Sequence, residues 1–383
     1  MSTLPSPPSA DTELHAQQYN NDLLLTENDQ QRAKRNFPDV YHVLDFPHLR
    51  EKFQYYNEAA NRHRRMVRRV GLLAIALSAV GLIKATMLPL VHPQLTPPLV
   101  ERVADATFEV IAIVGMVVAI GGLVIYRRKS KWLRMRLMTE RLRQFHFQVM
   151  VRKWPEVVAS CKDDAARDDY LAKREKWLDD FLAGYDRNLA PRLAELIGRP
   201  KENDCWVVPD SPHTGSVPAA PRQLVEAYRT LRIDHQINYC RVKLATDHSG
   251  SLLSFLEWPL ASQEYTLRVL SFILILSALI TSLLTIVGNL FDVAPLREEW
   301  LFVLIVVTFI LGAAVRAAEE GLAIAPEMER YEDYEAQVEI TVRRFETAED
   351  DRARREAMVD MEQTAFAELR GFLRTTRKAR FVL

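Results

Sequence analysis

The sequence is poor in cysteine and has no excess of either charge. Cys161, Cys205 and Cys240 are its 3 cysteines. An odd, scattered set builds no disulfide framework. No two of them form CxxC, so no zinc site is expected. Free thiols in a reducing compartment fit this pattern. Lys+Arg and Asp+Glu number 50 each, giving zero net charge. That balance decides little, because charged and apolar stretches are segregated along the chain.

Enzymatic signatures are missing as well. Ile120–Leu123 reads IGGL inside an apolar run, without the strand, loop or terminal Lys-Ser/Thr of a phosphate loop. HExxH, GxSxG and paired metal-ligand motifs do not occur, and the 9 histidines are scattered. No catalytic activity, cofactor or metal is expected. The opening MSTLPSPPSADTELHAQ lacks the basic and apolar regions of a secretory signal.

What the chain does have is four long apolar blocks. They are Gly71–Leu90, Val110–Tyr126, Val269–Leu290 and Leu301–Val315. Each approaches or exceeds the roughly 20 residues that cross a hydrocarbon core. Soluble helices normally keep a polar stripe, whereas Ile111–Ile125 carries no charged residue. The expected fold class is therefore an all-α integral membrane protein. Its four transmembrane helices form two hairpins, extended by cytoplasmic amphipathic helices.

Flanking charges give an orientation. Arg62, Arg64, Arg65, Arg68 and Arg69 precede the first block. Arg127, Arg128, Lys129, Lys131, Arg134 and Arg136 follow the second. Lys and Arg concentrate on the cytoplasmic side, so both flanks are expected inside. The loop from His92 to Glu109 is then outside. Arg64, Arg65, Arg68, Arg69, Arg127, Arg128 and Lys129 are the expected headgroup contacts. Such runs also attract nucleic acid, but their place beside spans accounts for them, and no nucleic-acid partner is expected. The second pair of spans returns the chain to the same side. Both termini should face the cytoplasm of a bacterial inner membrane.

The two halves share a layout of charged lead helix, two spans and following helix, as parallel membrane repeats do. Residues 1–36 are expected to be mostly disordered. The first hairpin module covers 37–155, with spans at about 70–91 and 108–126. A cytoplasmic helical segment and linker fill 156–221. The second module covers 222–383, with spans at about 268–290 and 299–318. The leads carry helical stripes, Leu49, Phe53, Tyr56 and Ala60 in one, Leu224, Ala227, Leu231, Ile233 and Ile237 in the other. The tail repeats the pattern. Tyr331, Tyr334, Val338, Thr341 and Phe345 form one stripe. Met358, Met361, Ala365, Leu369 and Phe372 form a second, heptad-like one, which suggests helix pairing within the chain or between copies.

Polar residues inside the blocks are few. Ser277, Thr281 and Thr285 recur every four residues on one helical face. They serve either close helix packing or the wall of a pore. Lys84 lies about 20 Å beyond the cytoplasmic end of its span at the helical rise. It either snorkels outward or faces a bundle interior as a gate.

The stretch YNEAANRHRRMVRRVGLLAIALSAV, a spaced second span and KWLRMRLMTERLRQFHF resemble the SLATT family of bacterial two-transmembrane effector domains. Tyr56, Ala60, Arg64 and Arg65 carry the likeness before the first span. Trp132, Glu140 and Arg141 carry it after the second. The resemblance implies a pore-forming effector in defence signalling, driven by a partner that senses a nucleotide signal. Here the family's hairpin would occur as two divergent copies. Two functions are therefore expected to compete. One is a homo-oligomer that forms or regulates an ion-permeable pore. The other is a non-conducting membrane scaffold that recruits a cytosolic signalling partner through its helices. Membrane lipids are partners in both. A transporter is less favoured, since no span is broken by a strongly polar centre.

Overall fold

The computed structural model describes residues 21–87, 127–198, 202–209, 218–219, 221–246, 255–256, 258–293 and 299–379. Every regular element among them is helical. The first helices are α1 (Glu27–Asn36), α2 (Tyr41–Leu44) and α3 (Pro47–Met87). Residues 127–152 form α4. Then come α5 (Trp154–Ser160), α6 (Asp164–Asp186) and α7 (Leu189–Ile197). Helix α8 (Arg222–Tyr228) passes through a π-helical turn, Arg229–Asp234, into α9 (His235–Leu244). The last four are α10 (Leu260–Phe291), α11 (Glu299–Leu322), α12 (Ile324–Thr347) and α13 (Asp351–Lys378).

Three helices, α3, α10 and the one that begins as α11, are long and apolar enough to cross a membrane. The expected span near 108–126 lies outside the described residues, and so does the loop before it.

The chain divides into two compact units. Unit 1 gathers residues 1–61, 132–245 and 328–374, and unit 2 gathers 62–131, 246–327 and 375–383. Four of the five boundaries thus fall inside α3, α4, α12 and α13, and the fifth follows α9. The helix continues through each of those four points, so no linker marks them.

Of the segment expected to be mostly disordered, residues 1–20 lie outside the described residues, and 21–36 include the helix α1. Thr26 opens α1 with a reciprocal cap. Its hydroxyl accepts from the Asp29 amide at 3.2 Å, and Asp29 accepts from the Thr26 amide. Leu23, Leu24 and Asp22 are buried just before it. Two adjacent leucines and one anchored acid give no periodicity to detect.

In unit 1 the expected stripes form the core. Leu49, Phe53, Tyr56 and Ala60 are buried along α3. So are Leu224, Ala227, Leu231, Ile233 and Ile237 around the π turn. The tail stripes of α12 and α13 are buried inside the unit too, apart from the half-buried Phe372. That ring packs edge-on against Trp132 at 6.1 Å. Each fully buried Leu or Phe contributes about 1.5–3 kcal/mol.

In unit 2, α10 and α11 form a hairpin. Small residues let the helices approach, and a Cβ added at Gly312 would lie 3.9 Å from the Leu274 Cβ. Asp292 ends α10 in the left-handed region, at φ 55°. Ala323 also has φ 54° and separates α11 from α12. Alanine rarely takes this conformation. Leu322 and Ile324 are buried on either side of it and hold the kink.

Candidate functional site

Three features could carry function: the apolar hairpin, a basic collar in unit 2, and a set of buried charges in unit 1.

On α10 the Ser/Thr stripe runs along the side that is least exposed. Thr281 and Gly288 are buried, while Ser277 and Thr285 are half-buried. The Thr281 hydroxyl donates to the Ser277 carbonyl at 2.8 Å, and Thr285 donates to the Thr281 carbonyl at 3.0 Å. Ser282 donates to the Ala278 carbonyl at 2.8 Å. Back-bonding of this kind satisfies a hydroxyl inside an apolar helix. The other sides of α10 are bare. Phe272, Leu279, Leu283 and Leu290 are all exposed. Only 11 % of the most apolar stretch of α10 is buried within the chain, and 22 % of that of α11. Lys84 is half-buried near the end of the described part of α3.

The basic collar consists of the Arg run of α3 and residues 127–129 of α4. Arg65, Arg69 and Arg127 are exposed, and Arg64, Arg128 and Lys129 are half-buried. Lys129 donates to the carbonyls of Arg377, at 3.3 Å, and Ala379. Arg68 differs from its neighbours. It is buried and faces Glu327 at 3.7 Å, so its charge is answered inside unit 2 and not by headgroups. The alternation follows from helical geometry, since Arg68 lies on the face that also buries Val67 and Ile75. Partial burial, and after it the charges of Arg128, Lys131 and Arg62, lower the pKa of His63.

A comparison with models of known protein families, curated proteins and solved structures found no match to this chain.

Unit 1 buries an unusual amount of charge. Arg232 donates to both carboxylate oxygens of Glu362, at 2.9 and 3.0 Å. The Tyr228 hydroxyl donates to the same carboxylate at 2.9 Å. Arg232 also lies 4.6 Å over the Phe147 ring. A π turn inside a helix often marks a functional or strained position, and this one places Arg232 against Glu362. Arg143 forms an ion pair with Asp22 at 2.8 Å and another with Glu140 at 2.8 Å. Arg174 donates to the carbonyls of His42, Val43 and Asp45, and so satisfies the end of α2.

Arg141 lines a cleft in unit 1. A cleft of about 280 Å³ is lined by Arg141, Phe181, Tyr185, Arg192, Asp204 and Trp206, among others. Its guanidinium already donates to the Tyr185 hydroxyl, Gln144 and the carbonyls of Asp204 and Cys205. Its charge braces the segment at 204–205 and leaves little for an anion. Of the residues that carry the family likeness, Tyr56, Ala60, Trp132 and Arg141 are buried in unit 1. Glu140 pairs there with Arg136 and Arg143.

His146 belongs to the same interior. Burial and the charges of Arg174, Arg232 and Arg50 push its pKa down to about 3. The folded state therefore keeps it neutral while the unfolded chain protonates it near 6.5. Its share of stability is complete above pH 6.5 and is lost progressively as pH falls toward 3, by up to about 1.4 kcal/mol per pH unit. His42, lowered to about 4, and His235, lowered chiefly by burial, act in the same direction. Between pH 7 and pH 5 the urea midpoint should fall steeply. His146→Phe should remove one share of that slope, and an unchanged slope would refute this assignment.

Among the described residues no group of three or more His, Cys, Asp or Glu side chains is placed to hold a metal ion. Cys205 and Cys240 are buried free thiols, and Cys161 is half-buried. Sequence reasoning missed the buried charges of unit 1. Nothing local distinguishes Arg141, Arg143, Arg174 and Arg232 from surface arginines.

Proposed function

We propose that this chain is a non-catalytic, multi-pass protein of the bacterial inner membrane whose copies assemble to form or regulate an ion-permeable pore. The observation that carries this is the bareness of the α10–α11 hairpin. Most of its apolar surface is uncovered within one chain. Surface of that extent is covered by lipid or by further helices. In this assembly four spans, including the one near 108–126, leave both termini in the cytoplasm. Ser277, Thr281, Thr285 and Lys84 are the polar residues available to a conduction path. The resemblance to SLATT effectors adds a role in defence signalling, with unit 1 receiving the signal from a cytosolic partner. Neither nucleic acid nor a cofactor takes part.

One observation favours the scaffold instead. The hydroxyls of Thr281, Ser282 and Thr285 are already bonded within α10. A path lined by them would need rotation of those side chains. Imaging of the detergent-extracted protein separates the two functions. Pore formation requires a closed ring of copies with a central path. Single copies with tightly packed spans would overturn it and leave the scaffold.

A further inference from the structure

We propose that the cleft walled by α6, α7 and residues 204–207 binds a linear polyamine. All of its lining residues belong to unit 1. The first observation is a glycine. Gly184 lies within α6 and lines the cleft. Glycine is among the poorest helix formers, so a helical glycine needs a reason. A left-handed backbone is not that reason, since no described glycine has a positive φ. Close helix approach is not the reason either, since a Cβ added at Gly184 would meet nothing within 4 Å. What the missing side chain leaves is open space in the cleft. A side chain at 184 would lean over the preceding turn. Asp180 and Phe181 lie in that turn and line the same wall. Glycine therefore keeps them accessible to a ligand.

The second observation is how the charges of the cleft are committed. Asp180, Glu195 and Asp204 line it with Arg141 and Arg192, three acids against two bases. Both bases are engaged. Arg141 donates to Tyr185, Gln144 and the carbonyls of Asp204 and Cys205. Arg192 lies 5.8 Å over the Tyr185 ring and 3.7 Å from Glu195. Asp180 is exposed and has no ion-pair or hydrogen-bond partner among the described residues. The acidic excess selects a cation. A metal ion is disfavoured, because among the described residues no three His, Cys, Asp or Glu side chains are grouped to hold one. The carboxylates come from three separate walls, and the rings of Phe181, Tyr185 and Trp206 line the cleft with them. A chain of ammonium groups joined by methylenes suits that mixture. Its ammonium groups make charge-assisted hydrogen bonds to carboxylates. Its methylenes lie on apolar ring surface, as the stem of a lysine does.

This inference needs neither membrane insertion nor conduction. Spermidine is titrated into the full chain in a neutral maltoside detergent, and binding is followed by calorimetry. Saturable binding is expected, and its absence would overturn the proposal. Butylamine carries a single ammonium group and should bind about fivefold more weakly. Equal affinity for the two would overturn the polyamine assignment, and tighter binding of a trilysine peptide would assign the cleft to a protein partner instead. Gly184→Leu fills the open wall and should abolish spermidine binding. Ala172→Leu, at an exposed position of α6 outside the cleft, should leave it unchanged. Retained affinity in Gly184→Leu would place the ligand elsewhere. Leucine is the better helix former, so the unfolding midpoint of Gly184→Leu should hold or rise. Should it fall, the exposed Asp180 still tests the site. Asp180→Asn should weaken binding about fivefold and Asp180→Lys about 25-fold, at the upper end for exposed charge pairs. Asp179→Lys, exposed but outside the lining, is the control. Equal losses at 179 and 180 would overturn the site, since surface charge alone would then explain the binding.

Discussion

Replacing Glu362 by alanine should lower the unfolding free energy by about 3–5 kcal/mol. Arg232 and Glu362 are both almost wholly inaccessible to solvent, with side-chain exposures of 2 % and 0 %. Removing the carboxylate leaves Arg232 buried, charged and without its two acceptors. It also takes the acceptor of the Tyr228 hydroxyl. Burial opposes charging of Arg232, but the Glu362 carboxylate outweighs it and raises the pKa, so the guanidinium cannot escape by losing a proton. Glu362→Gln keeps an acceptor and should lose less. The double change R232M/E362L removes both charges and should recover most of the loss, because apolar pairs replace buried ion pairs well. Urea titrations of the four proteins in one detergent test this. A loss below about 1 kcal/mol for E362A would mean that water reaches Arg232.

The second large effect concerns α10. Leu279 is 65 % exposed midway along the helix. On a soluble surface Leu279→Arg would change stability by no more than about 0.5 kcal/mol. At the centre of a membrane span the same change costs about 2.5–3.5 kcal/mol of insertion free energy. The inserted fraction should fall by roughly 100-fold relative to the uninserted one. Alkaline extraction of membranes measures it directly. Tyr55→Arg, at a comparably exposed residue of α3 in unit 1, serves as the control. Full insertion of the Leu279→Arg chain would remove α10 from the membrane.

Elements with their own periodicity were legible in the sequence. The stripes from Leu49 to Ala60 and from Met358 to Leu369 announce buried helix faces, because packing against a neighbour needs apolar residues every three or four positions. The α10 and α11 spans were legible for a simpler reason, their unbroken apolar length. Buried charges were not. Arg232 finds Glu362 across 130 residues, and Arg143 finds Asp22 in a segment that reads as polar and loose. Burial of an arginine depends on that distant acid, and single-chain spacing holds no record of it. Arg68 shows the same limit on a smaller scale. It sits in a run of arginines that read alike, yet its place on the helix turns it inward to Glu327. The left-handed Ala323 was also hidden, since glycine is the residue that usually signals such a turn.

The threading of unit 1 sets an order of events during synthesis. Its interior is closed by contacts between segments far apart in the chain. Arg355 donates to the Val151 carbonyl across 204 residues, and Arg374 donates to the Ile197 carbonyl across 177. Helix α13 leaves the ribosome after every other described helix. Until it arrives, Arg232 and Tyr228 face an open groove with no Glu362 to meet. By then α3, α10 and α11 have already emerged and can enter the bilayer. Insertion can therefore begin before unit 1 closes, and the nascent chain passes through a stage with its spans available and its charged interior still wet. Contacts of such long separation also close slowly, which makes this stage the one at which a holding chaperone has the most to protect.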